Sequence, residues 1–138
     1  MLDQGVIEHS CSPWASPLLL IRKKNGKVRP AVDYRKINSK TVCDAFLLPR
    51  IQDCIDAVSG ANLFSVFDLI SGFPQIPVKL EDRPKTAFTT KYGLYEFKTM
   101  PFGVYYGPAT CQRLMELVLN GLKWQICLIY LDDIIVFG

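Results

Sequence analysis

Four apolar residues, Leu18, Leu19, Leu20 and Ile21, run together before the basic Arg22, and a second stretch at 28–34 follows Asn25 and Gly26. Two such runs closing on an Asn-Gly pair predict a tight β-hairpin, because glycine accepts the positive backbone angles these turns need. Pro49 opens a segment in which Ile51, Ile55 and Val58 recur at helical spacing, and Gly60 closes it, which predicts a short amphipathic helix. Residues 63–69 are mostly apolar. That pattern predicts a strand covered on both faces and makes its one acid, Asp68, conspicuous. Residues 79–100 are more polar, and Tyr92-Gly93 separates 86–90 from 94–98, predicting a second hairpin. Pro108 then opens a helix on which Cys111, Leu114, Met115, Val118 and Leu122 share one face. Two final strands, 126–131 and 134–137, fold about Asp132 and Asp133. This order of elements predicts an α+β fold with helices packed on one face of an antiparallel sheet.

Composition agrees with one globular domain: the chain has 138 residues, 49% of them hydrophobic and 21% charged. The longest strictly apolar run, 126–129 extended through Tyr130 to Leu131, falls far short of the ~20 residues of a membrane span. The start, Met1-Leu2-Asp3-Gln4, lacks the basic region of a signal peptide. The expectation is an intracellular protein, in a cytoplasmic particle or the nucleus, with no membrane partner. Five cysteines, at 11, 43, 54, 111 and 127, form no CxxC pair and read as reduced packing residues. The net charge is only +3, but eight basic residues lie between Arg22 and Lys40 against a single acid, Asp33, so that segment carries +7. A concentrated positive patch suits a polyphosphate or nucleic acid, and equally a solvated surface hairpin.

The acids carry the chemistry. Asp132 and Asp133 sit between two apolar β segments, and Asp68 ends another, so the three can meet on neighbouring strands. Carboxylates ~4 Å apart repel by about 4 kcal/mol at an effective dielectric near 20, and a buried cluster needs a proton or a cation. All-oxygen ligands suit Mg²⁺ or Mn²⁺, and two such ions stabilise the attacking and leaving oxygens of a phosphoryl transfer. Aspartate is also a favoured turn former, so a plain polar turn at Asp132-Asp133 stays open on these two residues alone.

Longer blocks resolve more. SPWASPLLLIRKKNGKVRPAVDYRKIN at 12–38, LPRI at 48–51, FSVFDLISGFPQIPV at 64–78, KTAFTTKYGLYEFKTMPFG at 85–103, PATCQRLM at 108–115 and YLDDIIVFG at 130–138 together resemble the reverse transcriptases of Ty3/gypsy-type LTR retrotransposons and, more distantly, of retroviruses. The resemblance implies a right-hand polymerase with fingers at 1–43 and 78–100 and palm at 44–77 and 101–138. By matching motif it implies Asp68, Asp132 and Asp133 as catalytic acids holding two Mg²⁺ or Mn²⁺ ions, with the Leu69 backbone beside the metal. It assigns Lys23, Lys24 and Arg29 to the incoming triphosphate, and Leu69, Ile70, Gln75 and Gly103 to the nucleotide pocket. Phe73 becomes the steric gate beneath the sugar, with ordinary core packing as its plainer alternative.

The implied function is RNA-directed DNA synthesis, extending a primer on an RNA or DNA template from dNTPs. Family members often carry SGYHQI where this chain has SGFPQI at 71–76, and a small or amide pair after FGL where it has Tyr105-Tyr106-Gly107. Only five residues follow Asp133, and the expectation is that primer grip, thumb and RNase H belong to other segments of a Pol polyprotein. Those departures motivate a second reading, a catalytically inactive retroelement remnant that at most binds nucleic acid. A two-metal nuclease is a third, disfavoured because no histidine lies near either acidic motif.

Overall fold

The computed structural model describes residues 1–22, 26–42, 46–70 and 72–138. Its elements are β1 (Ile7–His9), β2 (Ser16–Arg22), β3 (Val28–Val32), α1 (Arg35–Asn38), α2 (Ile51–Ala57), β4 (Phe64–Asp68), β5 (Phe88–Thr90), β6 (Gly93–Phe97), α3 (Gly107–Val118), β7 (Cys127–Tyr130) and β8 (Asp133–Phe137), with 3₁₀ turns at Phe73–Gln75 and Arg83–Thr86. They form two compact units, Met1–Val42 with Phe73–Gly107, and Cys43–Gly72 with Pro108–Gly138. Neither unit is continuous in sequence.

In the first unit the strands are ordered β1-β6-β5-β2-β3. The expected hairpins are present. β2 pairs with β3 from Leu18↔Val32 to Arg22↔Val28, Gly26 has φ +78°, and Asn25 lies outside the described residues. β5 and β6 close at Thr90↔Gly93, where Gly93 takes φ +133°. A short parallel pairing, Ser16↔Phe88 and Pro17↔Thr89, joins the two hairpins into one sheet. Phe88, Tyr95 and Phe97 form its core, with Val6, Ile7, Leu18 and Val32 packed against them. Tyr34 is buried, and its hydroxyl donates to the Thr86 carbonyl at 2.8 Å. Thr86 Oγ1 in turn accepts from the Phe97 N–H at 2.9 Å, so a side chain ties the 3₁₀ turn to β6.

The second unit has a three-stranded antiparallel sheet, order β4-β8-β7, with α2 and α3. Two expectations fail here. The apolar strand expected to be covered on both faces, β4, is exposed at all five residues, and it lies at the edge of the sheet with β8 in the central place. The α3 stripe is also turned: Cys111 and Gln112 are buried, whereas Leu114, Val118 and Leu122 are exposed. Gln112 lies on the buried side instead. Its amide donates to the Ile129 carbonyl at 3.0 Å and accepts from the Leu131 N–H at 2.7 Å, bonds a buried amide must find.

Four thiols, Cys11, Cys54, Cys111 and Cys127, are unpaired among the described residues, and of these Cys111 and Cys127 are buried. No helix among the described residues is long and apolar enough to cross a membrane.

Candidate active site

Strand pairing brings the acids together. Asp68 lies directly opposite Asp133 across β4 and β8. Tyr130 pairs with Asp133 at the end of the β7–β8 hairpin, so the two-residue turn is Leu131-Asp132, and Asp133 opens β8 instead of completing the turn. Leu131 takes φ +56°, a left-handed backbone that branched and bulky residues seldom adopt and that its surroundings must hold. The Leu69 N–H donates to the Asp132 carbonyl at 3.1 Å, joining the end of β4 to the turn.

The Asp132 side chain is confined as well. The Cys111 thiol donates to Asp132 Oδ1 at 3.4 Å. Burial, and then this hydrogen bond and the carboxylate's charge, push the thiol up to about 11. A Cβ placed on Gly72 would come within 2.8 Å of the same Oδ1, so only glycine leaves the carboxylate where it is.

Asp68 and Asp133 are exposed and Asp132 is half-buried. None of the ion pairs found among the described residues involves any of them. Like charges directly opposed across a sheet destabilise it unless something neutralises them. A hard divalent cation fits this donor set of carboxylate and backbone oxygens. Among the described residues no three His, Cys, Asp or Glu side chains converge as a ready-made metal cluster. Magnesium sites are usually built from one or two carboxylates completed by water and substrate phosphate, and that is the kind of site these residues fit.

The first unit holds a separate group of the sequence-nominated residues. The Phe73 ring, half-buried, lies 5.2 Å from the Phe102 ring, and the Arg29 guanidinium stands 5.2 Å from the centre of Phe102 on a contact favourable for a cation. Gly107 approaches Phe73 so closely that a Cβ there would lie 3.2 Å from Cε1. Gly103, at φ +94°, presents its carbonyl to Asn38 Nδ2 at 2.7 Å. Gln75 is exposed in the same unit, whereas Ile70, also exposed, and Leu69 belong to the unit of the acids. Lys23 and Lys24 lie outside the described residues.

Pro74, a departure from the usual motif, occupies the middle of a 3₁₀ turn closed by Ile76 N–H to Phe73 O at 3.0 Å, where a proline suits the fixed backbone angle. Tyr106 is half-buried within electrostatic reach of Asp82 and Lys85. Burial, then Asp82, raises its phenol above the ordinary range. Sequence reasoning misses Phe102, Cys111 and Gln112. The one available signal is Gln112, a polar residue on the side of a helix next to an apolar face.

Residues 21–138 match the family model described as Reverse transcriptase (RNA-dependent DNA polymerase). The chain belongs to the reverse transcriptase family. It is similar to the retrovirus-related Pol polyprotein from transposon 297 of Drosophila melanogaster, 42% identical over 143 residues that span 100% of this chain and 14% of that protein. The enzymatic polyprotein of figwort mosaic virus (strain DxS) is 39% identical over 142 residues, 100% of this chain and 21% of that protein. This reverse transcriptase chain therefore spans only a minor part of these curated relatives.

Among solved structures, the foamy viral protease-reverse transcriptase dRH in complex with ds DNA superimposes with TM-score 0.86 at 24% identity over 98% of this chain and 24% of that one, a likeness of fold. The prototype foamy virus protease-reverse transcriptase gives TM-score 0.83 at 27% identity over 99% of this chain and 18% of that one. The α+β polymerase fold expected from the sequence is the fold found, and the relatives are retrovirus-related Pol polyproteins, as the motif blocks implied.

Proposed function

We propose that this chain is the fingers and palm portion of an active RNA-directed DNA polymerase, with fingers at 1–43 and 78–100 and palm at 44–77 and 101–138. The observation that carries the reading is the cross-strand pair of Asp68 and Asp133 beside the confined Asp132, three acids with no basic partner among the described residues. Asp68 and Asp132 would be the principal ligands of Mg²⁺ or Mn²⁺, with Asp133 as the neighbouring acid and the Leu69 carbonyl as a further oxygen. Two bound cations supply charge neutralisation for the attacking and leaving oxygens.

The residues of the chain do the positioning. In the reaction the primer 3′-oxygen forms a bond to the α-phosphorus of a dNTP, the α–β bridging bond breaks, pyrophosphate leaves, and the 3′-hydroxyl proton passes to solvent. Arg29, with Lys23 or Lys24, would hold the triphosphate through charge-assisted hydrogen bonds. The Leu69 and Ile70 backbone, Gln75 and Gly103 would line the pocket, and Phe73 would exclude a 2′-hydroxyl. Template with primer, dNTPs, and thumb and RNase H segments of a Pol polyprotein are the partners this reading requires.

Primer extension on poly(rA)/oligo(dT) in the full polypeptide that carries this chain tests it. The parent is expected to extend with Mg²⁺ or Mn²⁺, and Asp132→Asn to lose extension while melting at the same temperature or slightly higher, since one of several mutually repelling carboxylates is gone. An Asn variant extending at the parental rate overturns the assignment. A folded parent that extends nothing points to the inactive remnant.

A further inference from the structure

Gln112 has no role in the chemistry proposed above, yet its side chain makes three hydrogen bonds beside the acids. It is fully buried. Its Nε2 donates to the Ile129 carbonyl at 3.0 Å and to Glu116 Oε1 at 2.9 Å, and its Oε1 accepts from the Leu131 N–H at 2.7 Å. Tyr130 and Asp133 form the terminal pair of the hairpin. In an antiparallel ladder the next residue, Ile129, then turns its own N–H and C=O away from β8. β7 is an edge strand, so that carbonyl would face outward unmet, and Gln112 occupies the position a further strand would take.

Leu131 is the left-handed residue of the turn. A single amide thus grips the backbone on both sides of Tyr130 and holds the strained residue directly before Asp132. Its orientation is fixed in turn: Glu116 is an acceptor only, and Lys123 Nζ pairs with the same Oε1 at 2.5 Å. A flipped amide would set an oxygen against that carboxylate and lose both backbone bonds.

We infer that Gln112 is a positioning residue for the polymerase reaction, locking the Leu131-Asp132 turn so that the Asp132 carboxylate is held in one place before cation and nucleotide arrive. This rests on the reading of Asp132 as a catalytic acid. Misplacing a reacting group by about 1 Å can cost about 10²-fold in rate. Gln112→Met keeps the length and approximate volume of the side chain but removes donor and acceptor together.

Three measurements on the full polypeptide test the inference. In the parent, the Leu131 amide is expected to exchange its hydrogen far more slowly than an open turn does, and Gln112→Met to accelerate that exchange about 100-fold. Counted per active molecule by burst titration, Gln112→Met is expected to lower kcat about 100-fold while KM for dNTP stays within about threefold. A merely structural role would lower the melting temperature and the active fraction but leave kcat per active molecule unchanged, and that result overturns the inference. A parent Leu131 amide that exchanges at the open-turn rate overturns it too, even if the variant fails to fold. Asp132→Asn serves as the control: retained extension there removes the reading of the site itself, whereas lost extension with an unaltered Gln112→Met removes only the inference.

Discussion

Phe73 shows how far single residues can be read. Its sequence position five residues past Asp68 nominates it as the sugar gate. The structure adds that the ring is half-buried, with Phe102 on one side and Gly107 against its edge. A wholly buried ring would belong to a core, but a half-buried one held by two neighbours can present a face to a ligand. Phe73→Val is expected to raise the ratio of ribonucleotide to deoxyribonucleotide incorporation at least tenfold, with dNTP use falling less. Parallel loss of both substrates, together with a melting temperature lowered as for a core truncation worth about 3–5 kcal/mol, would return Phe73 to packing.

Arg29 is exposed and holds its guanidinium over Phe102. Arg29→Ala is expected to raise KM for dNTP by about tenfold with template affinity little changed, as read by steady-state kinetics at fixed salt. Weaker template binding at unchanged KM would shift the residue to tracking the strand.

At the scale of elements, the hairpins are legible in the sequence because their turns are local: Gly26 and Gly93 meet a backbone requirement that no partner element alters. Sequence and structure part where an element's neighbour decides its exposure. The apolar run of β4 reads as a strand covered on both faces, whereas the strand is exposed and lies at the edge of its sheet. On α3, counting apolar residues selects Leu114 and Val118, because a glutamine scores as polar even when it closes a strand edge. The turn lies one residue earlier than the sequence suggests for a similar reason, since two adjacent aspartates do not tell which of them pairs with Tyr130. The acids themselves are legible, because a carboxylate set among apolar strand residues adds nothing to packing and stands out wherever it falls.

The Lys123–Glu116–Gln112 chain makes an element-scale prediction. Burial raises the Glu116 carboxyl, but the hydrogen bonds from Gln112 and Lys123 and the lysine's charge outweigh it and hold the group below its ordinary 4.5. A carboxyl lowered in the folded state adds stability above its unfolded value, and that stability is lost as pH falls through the folded one. Melting temperature should therefore fall on acidification below about pH 4.5 more steeply in the parent than in Glu116→Gln, which has already lost the contribution at neutral pH. Parallel curves for the two proteins would show that the link does not operate.

For the whole molecule, the order of the chain matters as much as the final arrangement. β4 is complete at residue 68, whereas β8, its one partner among the described residues, begins at residue 133. On a ribosome adding ~5–20 residues per second, roughly 3 to 13 s pass between the two. Throughout that interval Phe64, Val66 and Phe67 emerge on a strand with both edges open, a template for pairing with another nascent chain. A chain ended at residue 126 is expected to scatter light and pellet at concentrations where residues 1–138 stay in solution; a soluble monomer of that length would show that β4 is sheltered before β8 arrives. Translational pausing before residue 133 should therefore lower the yield of folded protein, and holdase chaperones that cover extended apolar segments should restore it.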